Sequence, residues 1–151
     1  MTTPGFEVRR ATVADLDVLV PLFDAYRLFY SQPSDPARAR HFLRERLEHN
    51  QSVIFLLFED EVAVGFTQLY PSFSSGSMAR IFILNDLFVA PEARRRGAGS
   101  ALLYAAAEYG RRTGALRLVL STEVTNTSAQ SLYEKLGWKR DTVFCAYQLA
   151  L

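Results

Sequence analysis

Three consecutive arginines, Arg94-Arg95-Arg96, run into Gly97-Ala98-Gly99-Ser100 and then into helix formers, in the segment FVAPEARRRGAGSALL. A helix starting there leaves its first N–H groups without partners and carries partial positive charge at that end. Gly97 and Gly99 let an anion approach the backbone, and the guanidinium groups add full charge and planar donor forks. These are the parts of a pyrophosphate grip. Two common versions do not fit. A Walker loop ends in Gly-Lys-Ser/Thr, whereas Gly99 is followed by Ser100-Ala101. A dinucleotide-binding turn needs a third glycine close behind its strand. Here residues 90–96 intervene after Val89, Leu102 holds the third glycine's place, and no acid lies near 117–120 for a ribose. A basic loop followed by a glycine turn with no ligand stays open at this point.

The elements that must position this loop follow from the pattern along the chain. FEVRRAT (6–12) alternates like a half-buried strand. Thr12 with Asp15 three residues on marks a helix start, and a stripe of Leu16, Leu19, Val20, Phe23 and Tyr26 carries that helix to about Tyr30, with Pro21 expected to kink or split it. SQPSDP (31–36) is a turn, and a second helix is expected over 37–49. Two apolar runs flank Glu59-Asp60-Glu61 as a hairpin, SSGS (74–77) turns the chain again, and RIFILNDLFV (80–89) is a third strand. A helix is expected over about 98–112, a strand over 116–122, and a short helix from NTSAQ that stops at Gly137. WKRDTVFCAYQL closes as one or two strands. The strand–helix–strand passage over about 80–122 predicts a parallel pair in an otherwise antiparallel first half.

Composition narrows the classes. The chain has 151 residues, nearly half hydrophobic, with eleven Phe and seven Tyr, so it can bury one domain core. Lys plus Arg number 17 against 16 acids, too even for general nucleic-acid coating. The single cysteine, Cys145, leaves no internal disulfide or multi-cysteine zinc site and reads as a small core residue, with a catalytic thiol as the alternative. The segment MTTPGFEVRR lacks the apolar run of a signal peptide, and IFLLF is too short to span a bilayer. A cytoplasmic location is expected.

Taken as a unit, residues 85–140 resemble the GNAT superfamily of acyl-CoA-dependent N-acetyltransferases. NDLFVAPEARRRGAGSALL is similar to the family's acyl-CoA loop: a strand ending in hydrophobic-Val, a proline turn, then Arg/Gln-x-x-Gly-x-Gly/Ala opening a helix, with Arg94, Gly97 and Gly99 at the named positions. TNTSAQSLYEKLGW is similar to its Asn-x-x-Ala/Ser-x-x-x-Tyr-x-x-x-Gly-Phe/Trp segment, through Asn126, Tyr133, Gly137 and Trp138. FILNDLFV is nearest to the diamine (polyamine) acetyltransferase branch. That branch has Glu-Asp where this chain has Asn85-Asp86, a departure that removes an acid used to hold a cationic substrate. The resemblance implies a single α/β domain over 1–151. Its GNAT fold would have a mixed sheet of about six to seven strands, about four helices, and a split between two parallel central strands.

The resemblance also implies site roles. The backbone of Arg95, Arg96, Gly97, Ala98, Gly99 and Ser100, opened by Arg94, would wrap the pyrophosphate of acetyl-CoA, with Arg95 or Arg96 reaching its 3′-phosphate. The main chain of Leu87, Phe88 and Val89 would pair with the pantetheine arm, and Asn126 would hold it from the other side. The reaction is attack of a neutral amine on a thioester, and a lysine-like amine has a pKa of about 10, so a proton must be taken. Asp86 is the leading candidate as base or ammonium anchor, with a structural acid as its alternative; Glu123 is the second. Tyr133 matches the general acid that protonates the departing thiolate. The acceptor is expected near Asn85, Asp24, Tyr26, Tyr30, Tyr70 and Phe73, where charge and ring faces can hold a cation. The expected function is acetyl transfer from acetyl-CoA to a primary amine of a small molecule, without a metal, nucleic acid or membrane, and with a homodimer implied by analogy. A protein N-acetyltransferase or a non-catalytic acyl-CoA sensor are the alternatives.

Overall fold

A computed structural model describes residues 5–151. The chain forms two compact units, one running to Leu120 and one spanning Ser121–Leu151. In the first unit, strand β1 (Phe6–Arg10) leads through a 3-10 turn (Val13–Asp15) into α1 (Leu16–Phe29) and α2 (Pro36–Glu48). Strands β2 (Val53–Glu59), β3 (Val62–Ser74) and β4 (Ala79–Val89) follow, then a 3-10 turn (Pro91–Ala93), α3 (Ala98–Arg112) and β5 (Leu118–Val119). The second unit holds α4 (Thr127–Lys135).

The sheet runs β1-β2-β3-β4-β5, antiparallel through β4 and parallel between β4 and β5. The expected parallel pair is present, and four α-helices stand among the described residues. The strand count differs: among the described residues the sheet has five strands rather than six to seven. Residues 138–151 form no strand, and the strand expected over 116–122 is only Leu118–Val119. The 143–151 segment has the residue types of a strand, but alternation alone does not make one. A strand needs a neighbour to complete its ladder, and within the second unit none is present.

The helix starts follow local chemistry. The Thr12 hydroxyl accepts from the Ala14 N–H at 3.2 Å, and the Asp15 carboxylate accepts from the Thr12 N–H at 2.8 Å, a reciprocal cap that Arg9 braces by two hydrogen bonds to Asp15. The cap opens a 3-10 turn before α1 begins. Pro21 neither splits nor ends α1, which continues to Phe29. The proline lies on the exposed face, where the carbonyl it leaves unpaired meets water. The buried face carries Leu16, Leu19, Val20, Leu22 and Phe23 onto Ile54, Leu56, Phe66 and Phe88 of the sheet, with Ala39 and Leu43 of α2.

Two irregularities matter for function. The β2–β3 hairpin closes on Asp60 and Glu61, both left-handed (φ 48° and 67°), the tight twist-matched turn that pairs two strands at two residues. In the β3–β4 pair, Gln68 faces Asp86 but Leu69 faces Leu84, so Asn85 is an extra, bulged residue. Leu84 and Asp86 would share a face in a regular strand. The bulge sends Asp86 to the face of Gln68, Phe66 and Phe88, under α1.

Close packing at the far end of the same pair fixes Gly65. A methyl group there would meet the Phe88 carbonyl oxygen at 2.8 Å, a backbone atom that cannot rotate away. Gly65→Ala should therefore destabilise the protein by about 1–3 kcal/mol. Urea unfolding checks this, and an unchanged midpoint would contradict it.

Candidate active site

The loop after β4 is tightly shaped. Pro91–Ala93 forms a 3-10 turn, Arg94 is extended, and Arg95 and Gly97 are left-handed at φ 64° and 85°. Gly97 is the N-cap of α3, and the first helical bond runs from the Ala101 N–H to the Gly97 carbonyl at 3.0 Å. The N–H groups of Ala98, Gly99 and Ser100 lie ahead of that bond and point out of the helix end. Anion chemistry at this position follows from those groups and the helix dipole together.

The three arginines divide. Arg94 donates from Nε to the Val89 carbonyl at 2.7 Å and lies over the rings of Phe29 and Phe88 at 5.5 and 5.6 Å. It ties the loop to α1 and β4. Arg96 binds both carboxylate oxygens of Glu59, donates to the Glu92 carbonyl at 3.1 Å and covers Phe6 at 5.5 Å. It ties the loop to the end of β2, and it holds the Glu59 carboxyl below its ordinary range. Arg95 is exposed and has no side-chain partner among the described residues. Of the two arginines expected to reach a phosphate, Arg96 is thus already engaged.

Asp86 sits at the other end of this strand–loop–helix run. It is only 2 % exposed. The Gln68 Nε2 donates to its Oδ2 at 2.6 Å, and the Asn85 Nδ2 to its Oδ1 at 2.8 Å. Neighbouring residues in a regular strand point to opposite faces, so the bulge is what lets the Asn85 amide reach the next residue's carboxylate. The Thr67 hydroxyl holds the Asp86 carbonyl at 2.7 Å. Burial raises the Asp86 pKa, partly offset by Asn85, Gln68 and Tyr26. Gln68 Oε1 is buried without a partner among the described residues, so this amide faces the acid with its donor end only.

Around the acid stand aromatic groups. The Tyr26 ring meets Phe66 at 5.8 Å and Tyr30 at 5.1 Å, edge-on, and its hydroxyl is 3.4 Å from the Asn85 carbonyl. Burial and the Asp86 charge raise the pKa of both Tyr26 and Tyr70. The expected residues Asn85, Asp86, Tyr26 and Tyr30 thus come together, with Tyr70 beside them. Phe88 faces the core below Tyr26, while β4 pairs with β5 at Phe82 and Ile83 only. Beyond Ile83, toward Leu87–Val89, β4 has no β5 partner.

Two expected acceptor residues do something else. Asp24 is buried, accepts from the Ser34 hydroxyl at 2.6 Å and from the Asp35 N–H at 2.8 Å, and has a lowered pKa as a result. Both its oxygens secure the α1–α2 turn, so it is a structural acid. Phe73 is 68 % exposed under the Arg80 guanidinium, five positions along β3 from Gln68, roughly 17 Å at strand rise. Asn126 and Tyr133 lie in the second unit. Asn126 caps α4 by accepting from the Ala129 N–H at 3.2 Å, and Tyr133 meets Trp138 at 6.0 Å. Glu123 lies just ahead of α4, its carbonyl accepting from the Gln130 side chain at 3.1 Å.

Gln68 and Glu59 were not expected at the site. Gln68 carried one signal: a long amide in the apolar run VAVGFTQLY needs a buried partner. Glu59 carried none beyond its place in a hairpin turn.

A mixed α/β sheet brings an anion-ready helix head, a buried carboxylate on the preceding strand and a strand edge without a β5 partner onto one run of chain. The comparisons give this arrangement its class. The acetyltransferase (GNAT) family matches residues 19–138, so the chain belongs to that family and is an N-acetyltransferase. It is 51% identical over 142 residues to the uncharacterized N-acetyltransferase YhfO of Bacillus subtilis (strain 168), covering 94% of this chain and 95% of that protein. A crystal structure of a probable acetyltransferase is similar at TM-score 0.91 and 46% identity, covering 96% of this chain and 97% of the other. An aminoglycoside N-acetyltransferase solved in complex with CoA shares the fold at TM-score 0.79 and 21% identity, covering 97% and 95%.

The buried acid has a stability consequence. Its folded pKa lies above the unfolded value, so the folded state binds more protons, and wild-type stability falls as pH rises through that window. Asp86→Asn removes the buried charge, and Gln68 can turn its free oxygen toward the new amide. The variant should melt about 2–4 °C higher than wild type at neutral pH, with the gain shrinking in acid. Scanning calorimetry across pH checks it, and a gain that grows in acid would contradict the assignment.

Proposed function

We propose that the protein transfers an acetyl group from acetyl-CoA to a primary amine of a small molecule, by direct attack on the thioester within a ternary complex. One observation carries this: the buried Asp86, the unpaired edge of β4 and the open N–H groups of α3 follow one another along a single run of chain. That order matches a reacting centre, an extended arm and a pyrophosphate. In this reading Ala98, Gly99 and Ser100 hold the pyrophosphate through main-chain N–H groups, and Arg95 supplies charge to a phosphate. A main-chain N–H near Leu87–Val89 stabilises the oxyanion as the amine adds. Asp86 receives the amine's proton; for the second unit, the family resemblance assigns Asn126 to the pantetheine and Tyr133 to protonating the departing thiolate.

The same geometry bears on the acceptor. The Asn85 amide is turned onto Asp86, and Asp24 is tied into a turn. The site therefore offers one buried carboxylate where the diamine branch has a Glu-Asp pair. This supports an acceptor with one amine near the acid rather than a polyamine.

Two measurements test the reading. Arg95→Ala should weaken acetyl-CoA binding about fivefold, and the difference should narrow at high salt, by calorimetry. Arg96→Ala, by contrast, loses a loop tie and should lower melting temperature as well as affinity. Thiol release from acetyl-CoA with a panel of polyamines, aminoglycosides, amino acids, arylamines and lysine peptides should single out one small-molecule class. The acid limb of its pH–rate profile should lie above the ordinary carboxylate range, because activity is lost as Asp86 protonates. Silence across the panel with acetyl-CoA bound would favour a protein acceptor or a sensor.

A further inference from the structure

At 2 % exposure, Asp86 offers an acceptor amine almost no surface to touch. Its two oxygens already face the amides of Gln68 and Asn85. If it receives the amine's proton, another group has to carry that proton across the wall of the site. Tyr26 has the position. Its ring is held edge-on by Phe66, Phe88 and Tyr30, at 5.8, 6.4 and 5.1 Å, so its hydroxyl is fixed in place while staying half-buried. The hydroxyl lies 3.4 Å from the Asn85 carbonyl, one residue from the acid. That is long for an O–H···O bond, so the hydroxyl is not committed to the carbonyl. The Asp86 carboxylate is close enough for the hydroxyl and the acid to shift each other's pKa, which leaves it within reach as an alternative acceptor.

We propose that Tyr26 is the catalytic residue that contacts the acceptor amine and relays its proton to Asp86. As the amine nitrogen forms its bond to the thioester carbon, its N–H bond breaks toward the Tyr26 oxygen, and the Tyr26 O–H bond breaks toward Asp86. Collapse then breaks the carbon–sulfur bond, the electron pair leaves on sulfur, and the thiolate is protonated. Asp86 returns its proton to solvent by the reverse path. The phenol gains one proton as it gives one up, so it never ionises. This agrees with its pKa, which burial and Asp86 push up and away from phenolate formation. The charged and titratable groups facing the pair are Tyr30 at the C-terminal cap of α1, Tyr70 from β3, and Arg46 from α2, which acts on Tyr70. Tyr70 lies near enough to feel the Asp86 charge but has no hydrogen bond to it.

The proposal rests on Asp86 as the proton acceptor, and the test separates the two. The Asp86 carboxyl is titrated by carbon-13 NMR in wild type and in Tyr26→Phe, which keeps the ring and its packing. Loss of a donor to the carboxylate should raise the Asp86 pKa further in the variant; an unchanged titration overturns the relay without any turnover measurement. With propylamine as the acceptor probe, Tyr26→Phe should lower kcat about 100-fold, leave the KM for acetyl-CoA unchanged and flatten the acid limb. Loss of rate in Asp86→Asn alongside wild-type rate in Tyr26→Phe overturns the relay and keeps the base. Wild-type rate in Asp86→Asn removes the base reading beneath it. An equal fall in Tyr70→Phe, with Tyr26→Phe unaffected, moves the role to Tyr70 and overturns the assignment.

Discussion

A carboxylate taken out of water loses its hydration, and a fold keeps it only where donors replace the lost solvent. Asp86 is such a group, and much of β3 and β4 is arranged to keep it. The bulge at Asn85 turns Asp86 toward α1 and frees the Asn85 amide to bind it, while Gln68 faces it from the paired strand. Thr67 holds the same residue through its carbonyl. Phe66 and Phe88 on the same face pack the ring of Tyr26 against this arrangement. If the bulge were removed, Leu84 would come round to the α1 face, and the two amides would lose their common target.

The basic loop obeys a different constraint. Three adjacent guanidinium groups repel one another, and a loop carrying them needs ties before it can hold a shape. Arg94 and Arg96 supply the ties, to Val89, to Glu59 and across three phenylalanine rings. Exposed ion pairs contribute little to stability on their own. Here the bidentate geometry fixes where the loop sits between β2 and α3, and among the described residues Arg95 alone of the three makes no such tie. Two of the three charges thus serve to position the loop.

Much of this was legible in the sequence. Repeating apolar positions fixed α1 through Phe23 and Tyr26, and Gly97 marked the head of α3. The glycine and tyrosine pattern from Arg94 to Trp138 pointed to the family. Other parts were not legible, for physical reasons. A bulge depends on how two strands register, which neither strand states alone, so Gln68 could not be matched with Asp86. Asp24 reads as a free acid until Ser34 and the Asp35 N–H fold back onto it. Pro21 looks disruptive until the helix turns it toward water. The closing strands were expected from alternation around Phe144 and Tyr147, yet both are about four-fifths or more exposed, since a strand is defined by its neighbour.

The surroundings of Asp86 also bear on which of its two expected roles fits. An anchor for an ammonium group works best ionised, near the surface and with an open oxygen. Asp86 is buried, its pKa is raised, and its oxygens are taken by amides. Those conditions weaken it as an anchor and suit it as a base, because a carboxylate with a raised pKa takes a proton from a poorer acid. The titratable groups that feel its charge are tyrosines, Tyr26 and Tyr70, rather than further carboxylates. In the proposed relay, such neutral groups would pass a proton without bringing a second negative charge beside the first, which a buried pair of acids could not avoid.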